Sequence, residues 1–211
     1  MIKAYQLLSM LDADILKDVL DVFNKAAVEV CEGQQQDMDF ENQETINLID
    51  YMRMIECKTA VLLAASLKIG AIIAGANEKE QAHLYEFGIN LGTAFQLKDD
   101  LLDVFGSPKV FGKQLGGDIL ANKKTFLYLK ALQLADDSIT ARLKWYYRNN
   151  DKSKTKVNEV KAIFKNLNIK MHTVSIMKNY HVKAMKHLDA IDSDNKESLI
   201  LFSNKLMERI S

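Results

Sequence analysis

The chain has 211 residues, and 28 lysines and arginines balance 28 aspartates and glutamates, for a formal net charge of zero. At 48% hydrophobic and 27% charged, its composition excludes a disordered or fibrous protein, and its neutrality supplies no bulk steering toward nucleic acid or an anionic membrane. Nine glycines and one proline are too few for an all-β protein built on tight turns, which leaves an all-α chain, read as one helical domain over 1–211. The opening MIKAYQLLSM lacks the basic head and clean apolar run of a signal peptide. Cys31 and Cys57 form no CxxC motif, so a zinc knuckle or a thioredoxin-like site is excluded and a reduced, cytoplasmic protein is expected.

Helical periodicity recurs along the whole chain. Asp12 stands as the cap of a helix whose apolar stripe is Ile15, Val19, Phe23, Ala27 and Val30. This helix runs to about Phe40 and carries Gly33-Gln-Gln-Gln-Asp37, a polar patch or a plain solvent face. Cys57-Lys-Thr59 stands at the head of an apolar helix over 60–75, which is too short and too interrupted, by Ser66 and Lys68, to span a membrane. Gly75-Ala-Asn77 ends it, and Glu78 opens a helix striped by Leu84, Phe87, Leu91, Phe95 and Leu102. The helices over 60–75 and 84–104 are expected to be central and buried. The largest break, 106–117, holds the single proline and further glycines. Two more stripes follow: Val157, Val160, Phe164, Leu167, and then Val174, Met177, Ala184, Leu188, Ile191. About nine helices with short connections are predicted, with no internal repeat and no sustained strand pattern. His83, His172, His181 and His187 lack metal-ligand spacing.

The unusual chemistry lies in Phe95-Gln-Leu-Lys-Asp-Asp-Leu-Leu-Asp103. Helical spacing of three and four places Gln96, Asp99 and Asp103 on one stripe, with Asp100 beside it. Carboxylates held this close raise one another's pKa, and a hard divalent cation relieves that strain. Periodicity alone leaves a solvated acidic face open as the other reading. The glycine-rich segment 106–118 follows at once, carrying Lys113, and Asn122-Lys-Lys-Thr125 comes next. Glycines let backbone approach a ligand and lysines supply point charges for phosphate, although no GxxxxGK[ST] loop is present. A lysine and a hydroxyl at a helix start, as Lys58 and Thr59 are placed here, suit an anion with an apolar tail. Carboxylates beside lysines read as a Mg²⁺–diphosphate site.

In order along the chain, Gly33-Gln34…Asp37, Lys58-Thr59, Phe95-Gln96…Asp99-Asp100…Asp103 and Gly112-Lys113…Gly116…Asp118…Lys123 resemble the trans-isoprenyl (polyprenyl) diphosphate synthases. The Asp-Asp-x-x-Asp element resembles that family's second aspartate-rich motif, and the resemblance is best over roughly 1–135. It implies an all-α bundle around a deep cavity and Mg²⁺-dependent condensation of isopentenyl diphosphate with an allylic prenyl diphosphate. It further implies a homodimer, while the neutral charge and the interrupted apolar run predict no nucleic-acid partner and no stable membrane insertion. Carried over, Asp99, Asp100 and Asp103 bind Mg²⁺, with Asp99 the direct ligand. Lys58, Lys113 and Lys123 hold the allylic diphosphate, Thr59, Gln96 and Phe95 line the site near the allylic cation, and Gln34 and Asp37 join the substrate contacts. The family's first aspartate-rich motif and its arginine pair have no counterpart here. The chain is therefore expected to match the C-terminal two-thirds of such an enzyme and to turn over substrate poorly alone. A non-catalytic partner subunit and a terpene cyclase-like diphosphate-binding protein are the other readings.

Overall fold

The computed structural model describes residues 2–106 and 115–208. Eleven α-helices and one π-helical turn account for the regular structure there, with no strand among the described residues. In chain order they are α1 (Ile2–Leu8), α2 (Ala13–Asn42), α3 (Leu48–Ile55), the π turn (Glu56–Ala60), α4 (Val61–Ile73), α5 (Glu78–Phe105), α6 (Gly117–Leu120), α7 (Phe126–Leu134), α8 (Asp137–Arg148), α9 (Lys154–Asn166), α10 (Ile169–Asp189) and α11 (Glu197–Glu208). No helix among them is long and apolar enough to cross a membrane.

The two helices predicted to be central are α4 and α5. A break with Gly75 in the left-handed region (φ +74°) separates them. Asn77 then caps α5 through a capping box, its side chain accepting from the Glu80 N–H while the Glu80 carboxylate accepts from the Asn77 N–H. Asp12 occupies the cap position of α2 as expected, but its side chain makes no capping bond. Helix α5 packs along α10 on one side and α4 on the other. A Cβ added at Gly88 would lie 2.4 Å from the Ala64 Cα, and one at Gly92 would lie 2.5 Å from the Ala60 Cα. The two backbones are thus in contact, which only glycine permits.

The stripe along α5 departs from its predicted course. Phe87 and Leu91 are fully buried as expected, but burial continues through Ala94, Leu97, Leu101 and Val104. Phe95 and Leu102 instead face an open cavity. The reason is that α5 is surrounded by helices over most of its circumference, so a single stripe does not describe it.

The main core gathers Leu97, Leu101, Phe126, Phe164, Ile169 and Met177 from α5, α7, α9 and α10. Phe164 is wholly buried within it. Phe164→Ala is expected to lower stability by about 3–5 kcal/mol, through lost transfer energy plus a residual cavity. Thermal melting followed by circular dichroism measures this, and a melt within a degree of the parent would refute the core placement. Helix α11 is tied to α5 by Lys98, a buried lysine whose ammonium donates to the Leu206 carbonyl.

Candidate active site

Lys58 and Thr59 do not sit at a helix start. Helices α3, the π turn and α4 form one continuous helical run over 48–73, so the expected helix N-terminus is absent there. Within the π turn the Val61 N–H bonds back to the Glu56 carbonyl, five residues earlier. That extra residue widens the turn and re-aims its side chains. Lys58 is directed into a polar pocket and its neighbour Thr59 into an apolar cavity. Helix α2 crosses the same turn at contact distance, because a Cβ at Gly33 would lie only 2.5 Å from the Lys58 nitrogen. One helical turn farther along α2, Asp37 meets the Lys58 ammonium at 2.6 Å.

The polar pocket, about 80 Å³, is lined by Asp37, Tyr51, Lys58, Gln96, Asp118 and Lys123 among others. Asp100 also lines it and is 4% exposed. Its carboxylate accepts from the buried Tyr51 hydroxyl and, at 3.3 Å, from the Gln96 amide. The Gln96 carbonyl in turn accepts from the Thr59 hydroxyl at 2.9 Å. The apolar cavity, about 830 Å³, lies on the other side of this bond, with Leu62, Leu63, Phe95 and Leu102 in its walls and Asp99 at its edge.

Along α5 the Gln96 amide donates to Asp100, which lines the polar pocket, while the adjacent Asp99 stands at the edge of the apolar cavity. Asp103 faces the start of α6. Its carboxylate accepts the Gly117 and Asp118 N–H groups, each at 3.1 Å, and so fixes the start of α6. Among the described residues no three His, Cys, Asp or Glu side chains form a metal shell.

Electrostatics single out a residue left off the expected site. Asp118, on α6, has its pKa raised to about 6 by burial and by Asp103, against the pull of Lys123. Burial likewise raises Asp100 to about 7, opposed by the Tyr51 hydrogen bond. Carboxylates crowded in this way favour a cation, and Mg²⁺ takes a few carboxylate oxygens while leaving positions for water and phosphate. Carboxylate oxygens are donors that suit this ion, with phosphate oxygens needed to complete its shell. Asp118 was visible in the sequence as the end of Gly116-Gly-Asp118, whereas Tyr51, within α3, gave no signal.

The other predicted residues divide plainly. Lys123 lines the pocket as expected. Its neighbour Lys124 reaches back to the last turn of α2, donating to the Phe40 carbonyl at 3.0 Å, and so caps that helix. Gln34 is exposed on α2 and lines neither space. Lys113 and Gly112 lie outside the described residues.

Residues 1–167 match the family model for polyprenyl synthetase. The chain belongs to the polyprenyl synthetase family. Among the similar polyprenyl synthetases is the short chain isoprenyl diphosphate synthase of Methanocaldococcus jannaschii, 39% identical over 77% of this chain and 50% of its own. A crystal structure of geranylgeranyl pyrophosphate synthase superposes with a TM-score of 0.91 at 41% identity, covering 100% of this chain and 66% of that one. Another, from Corynebacterium glutamicum and complexed with isoprenyl diphosphate and magnesium, gives a TM-score of 0.87 at 27% identity over 94% of this chain and 57% of that one. The chain thus spans about half to two-thirds of the length of these polyprenyl synthetases.

Proposed function

We propose that this chain carries the allylic-diphosphate half of a prenyltransferase that joins an allylic prenyl diphosphate to isopentenyl diphosphate. The observation that carries the reading is the pairing of two unlike spaces across one hydrogen bond. A small pocket with Lys58, Lys123 and Asp118 suits a diphosphate, and an apolar cavity suits its hydrocarbon tail. Thr59 and Gln96, bonded to each other, stand where the two meet.

In this reading Lys58 and Lys123 bind the phosphate oxygens. Mg²⁺, when bound, neutralises the diphosphate and makes it a better leaving group. Asp99, Asp103 and Asp118 are its proposed holders, with phosphate oxygens and water completing the shell, while Asp100 is engaged by Tyr51 and Gln96. The carbon–oxygen bond of the allylic diphosphate breaks and leaves an allylic cation. Leu62, Phe95 and Leu102 line the apolar cavity beside it, and the Thr59 and Gln96 oxygens face its charge. The double bond of isopentenyl diphosphate then forms the new carbon–carbon bond, and the proton shed from the resulting cation passes to the released pyrophosphate. The work is assigned to a cytoplasmic homodimer.

Calorimetry with Mg²⁺ and inorganic pyrophosphate tests the site. Each should bind more tightly in the presence of the other, since phosphate oxygens complete the metal shell. Independent binding would overturn the diphosphate reading. Unchanged synergy in Asp99→Ala would remove Asp99 from the metal set. Incorporation of labelled isopentenyl diphosphate into a longer prenyl product, with farnesyl diphosphate as co-substrate, tests the reaction itself.

A further inference from the structure

Lys156, on the first turn of α9, is 0% exposed, and the chemistry above makes no use of it. A buried ammonium is unfavourable unless its donors are filled. Its Nζ donates to the Asn122 Oδ1 and, at 3.3 Å, to the Asn149 carbonyl, and it stands 5.8 Å from the centre of the Tyr147 ring. The Asn122 amide donates to the same Asn149 carbonyl at 3.3 Å.

Asn122 is a special position. It has φ +59°, one of two described non-glycine residues in the left-handed region. It directly precedes Lys123 and closes the short helix that carries Asp118. At the other end of α6, Gly116 has φ +81°, and a Cβ there would lie 2.5 Å from a Val157 methyl. Two consecutive residues of α9 therefore hold both ends of α6: Val157 abuts its start and Lys156 grips its end.

We propose that Lys156 is a positioning residue for the diphosphate pocket. Through Asn122 it fixes the Asp118–Thr125 turn, and with it the placement of Lys123 and Asp118. The inference rests on the diphosphate reading of that pocket. A side chain that never touches the ligand acts here because small misplacements of binding groups have large effects.

The test uses the full chain with Lys156→Met, which keeps the side-chain length but removes its donors, and Asn122→Gly, which tolerates the left-handed backbone but removes the acceptor. Two readouts are taken below the melting temperature of each variant. One is inorganic pyrophosphate affinity in Mg²⁺ by calorimetry. The other is hydrogen exchange of the Lys123 and Thr125 amides, which donate to the Asp118 and Lys123 carbonyls. Each single variant should bind pyrophosphate about ten- to a hundredfold more weakly. Each should also exchange those two amides about tenfold faster or more, with α5 still protected. The double variant should be no worse than either single one.

Unchanged affinity and unchanged exchange in the folded variants would overturn the proposal. So would a loss of protection spread evenly over the molecule, or additive losses in the double variant. If Lys156→Met fails to fold, Asn122→Gly decides. If the parent protein binds no pyrophosphate, the diphosphate reading fails, and the exchange measurement still tells whether Lys156 holds the turn.

Discussion

Alanine at Gly88 is expected to destabilise the protein by about 3 kcal/mol or more, the upper range of core overpacking. The added Cβ meets the Ala64 Cα at 2.4 Å and the Ala64 nitrogen at 2.8 Å. These are backbone atoms of α4, so no side-chain rotation relieves the clash and the two helices must part. Separation would also disturb the neighbouring contact of Gly92 with Ala60, and with it the π turn that aims Lys58 and Thr59. Gly70 supplies the control. It lies in the same helix as Ala64, with nothing within 4 Å of the built Cβ. Gly70→Ala should therefore be neutral or stabilise by up to about 1 kcal/mol through helix propensity. Chemical denaturation of both variants measures the contrast, and equal stabilities would contradict the close approach of α4 and α5.

Removal of the Lys58 ammonium is expected to weaken pyrophosphate–Mg²⁺ binding by about a hundredfold, the size of one lost charge-assisted contact. Two effects act in the same direction. Lys58→Ala deletes a cation from the pocket, and it leaves Asp37 without the partner it holds at 2.6 Å. Asp37 already raises the pKa of Asp118 while Lys58 lowers it, so the variant turns the local field against an incoming anion. Adding Asp37→Asn should recover part of the loss by removing the exposed negative charge. Calorimetry on the single and double variants separates the contributions. Wild-type affinity in Lys58→Ala would remove Lys58 from the diphosphate site, and no recovery in the double variant would confine its role to direct contact.

Composition and periodicity determined the helical class, the central place of the helices near 60–75 and 84–104, and the break at Gly75-Ala-Asn77. These are local properties: spacing of apolar residues, caps and turn residues act within a few positions of one another. The order of motifs likewise pointed to Lys58, Thr59, Gln96 and Lys123, all of which stand at the two spaces. What the sequence could not decide was direction. Thr59 and Lys58 were read as a helix start because an apolar run begins beside them. The tertiary structure continues α3 into α4 instead, and α2, crossing at Gly33, packs directly on the π turn between them. By spacing, Asp99 and Asp103 share a stripe with Asp100 beside it. They separate because Tyr51 on α3 and Gln96 engage one while the start of α6 engages another. Lys156 carried no signal in the sequence, since a charged residue on an amphipathic helix is normally solvated. Its partners Asn122 and Asn149 come from distant turns, and only the packing of α9 behind α6 brings them to its ammonium. Spacing along a helix fixes which residues share a face, but the neighbouring elements decide what each face meets.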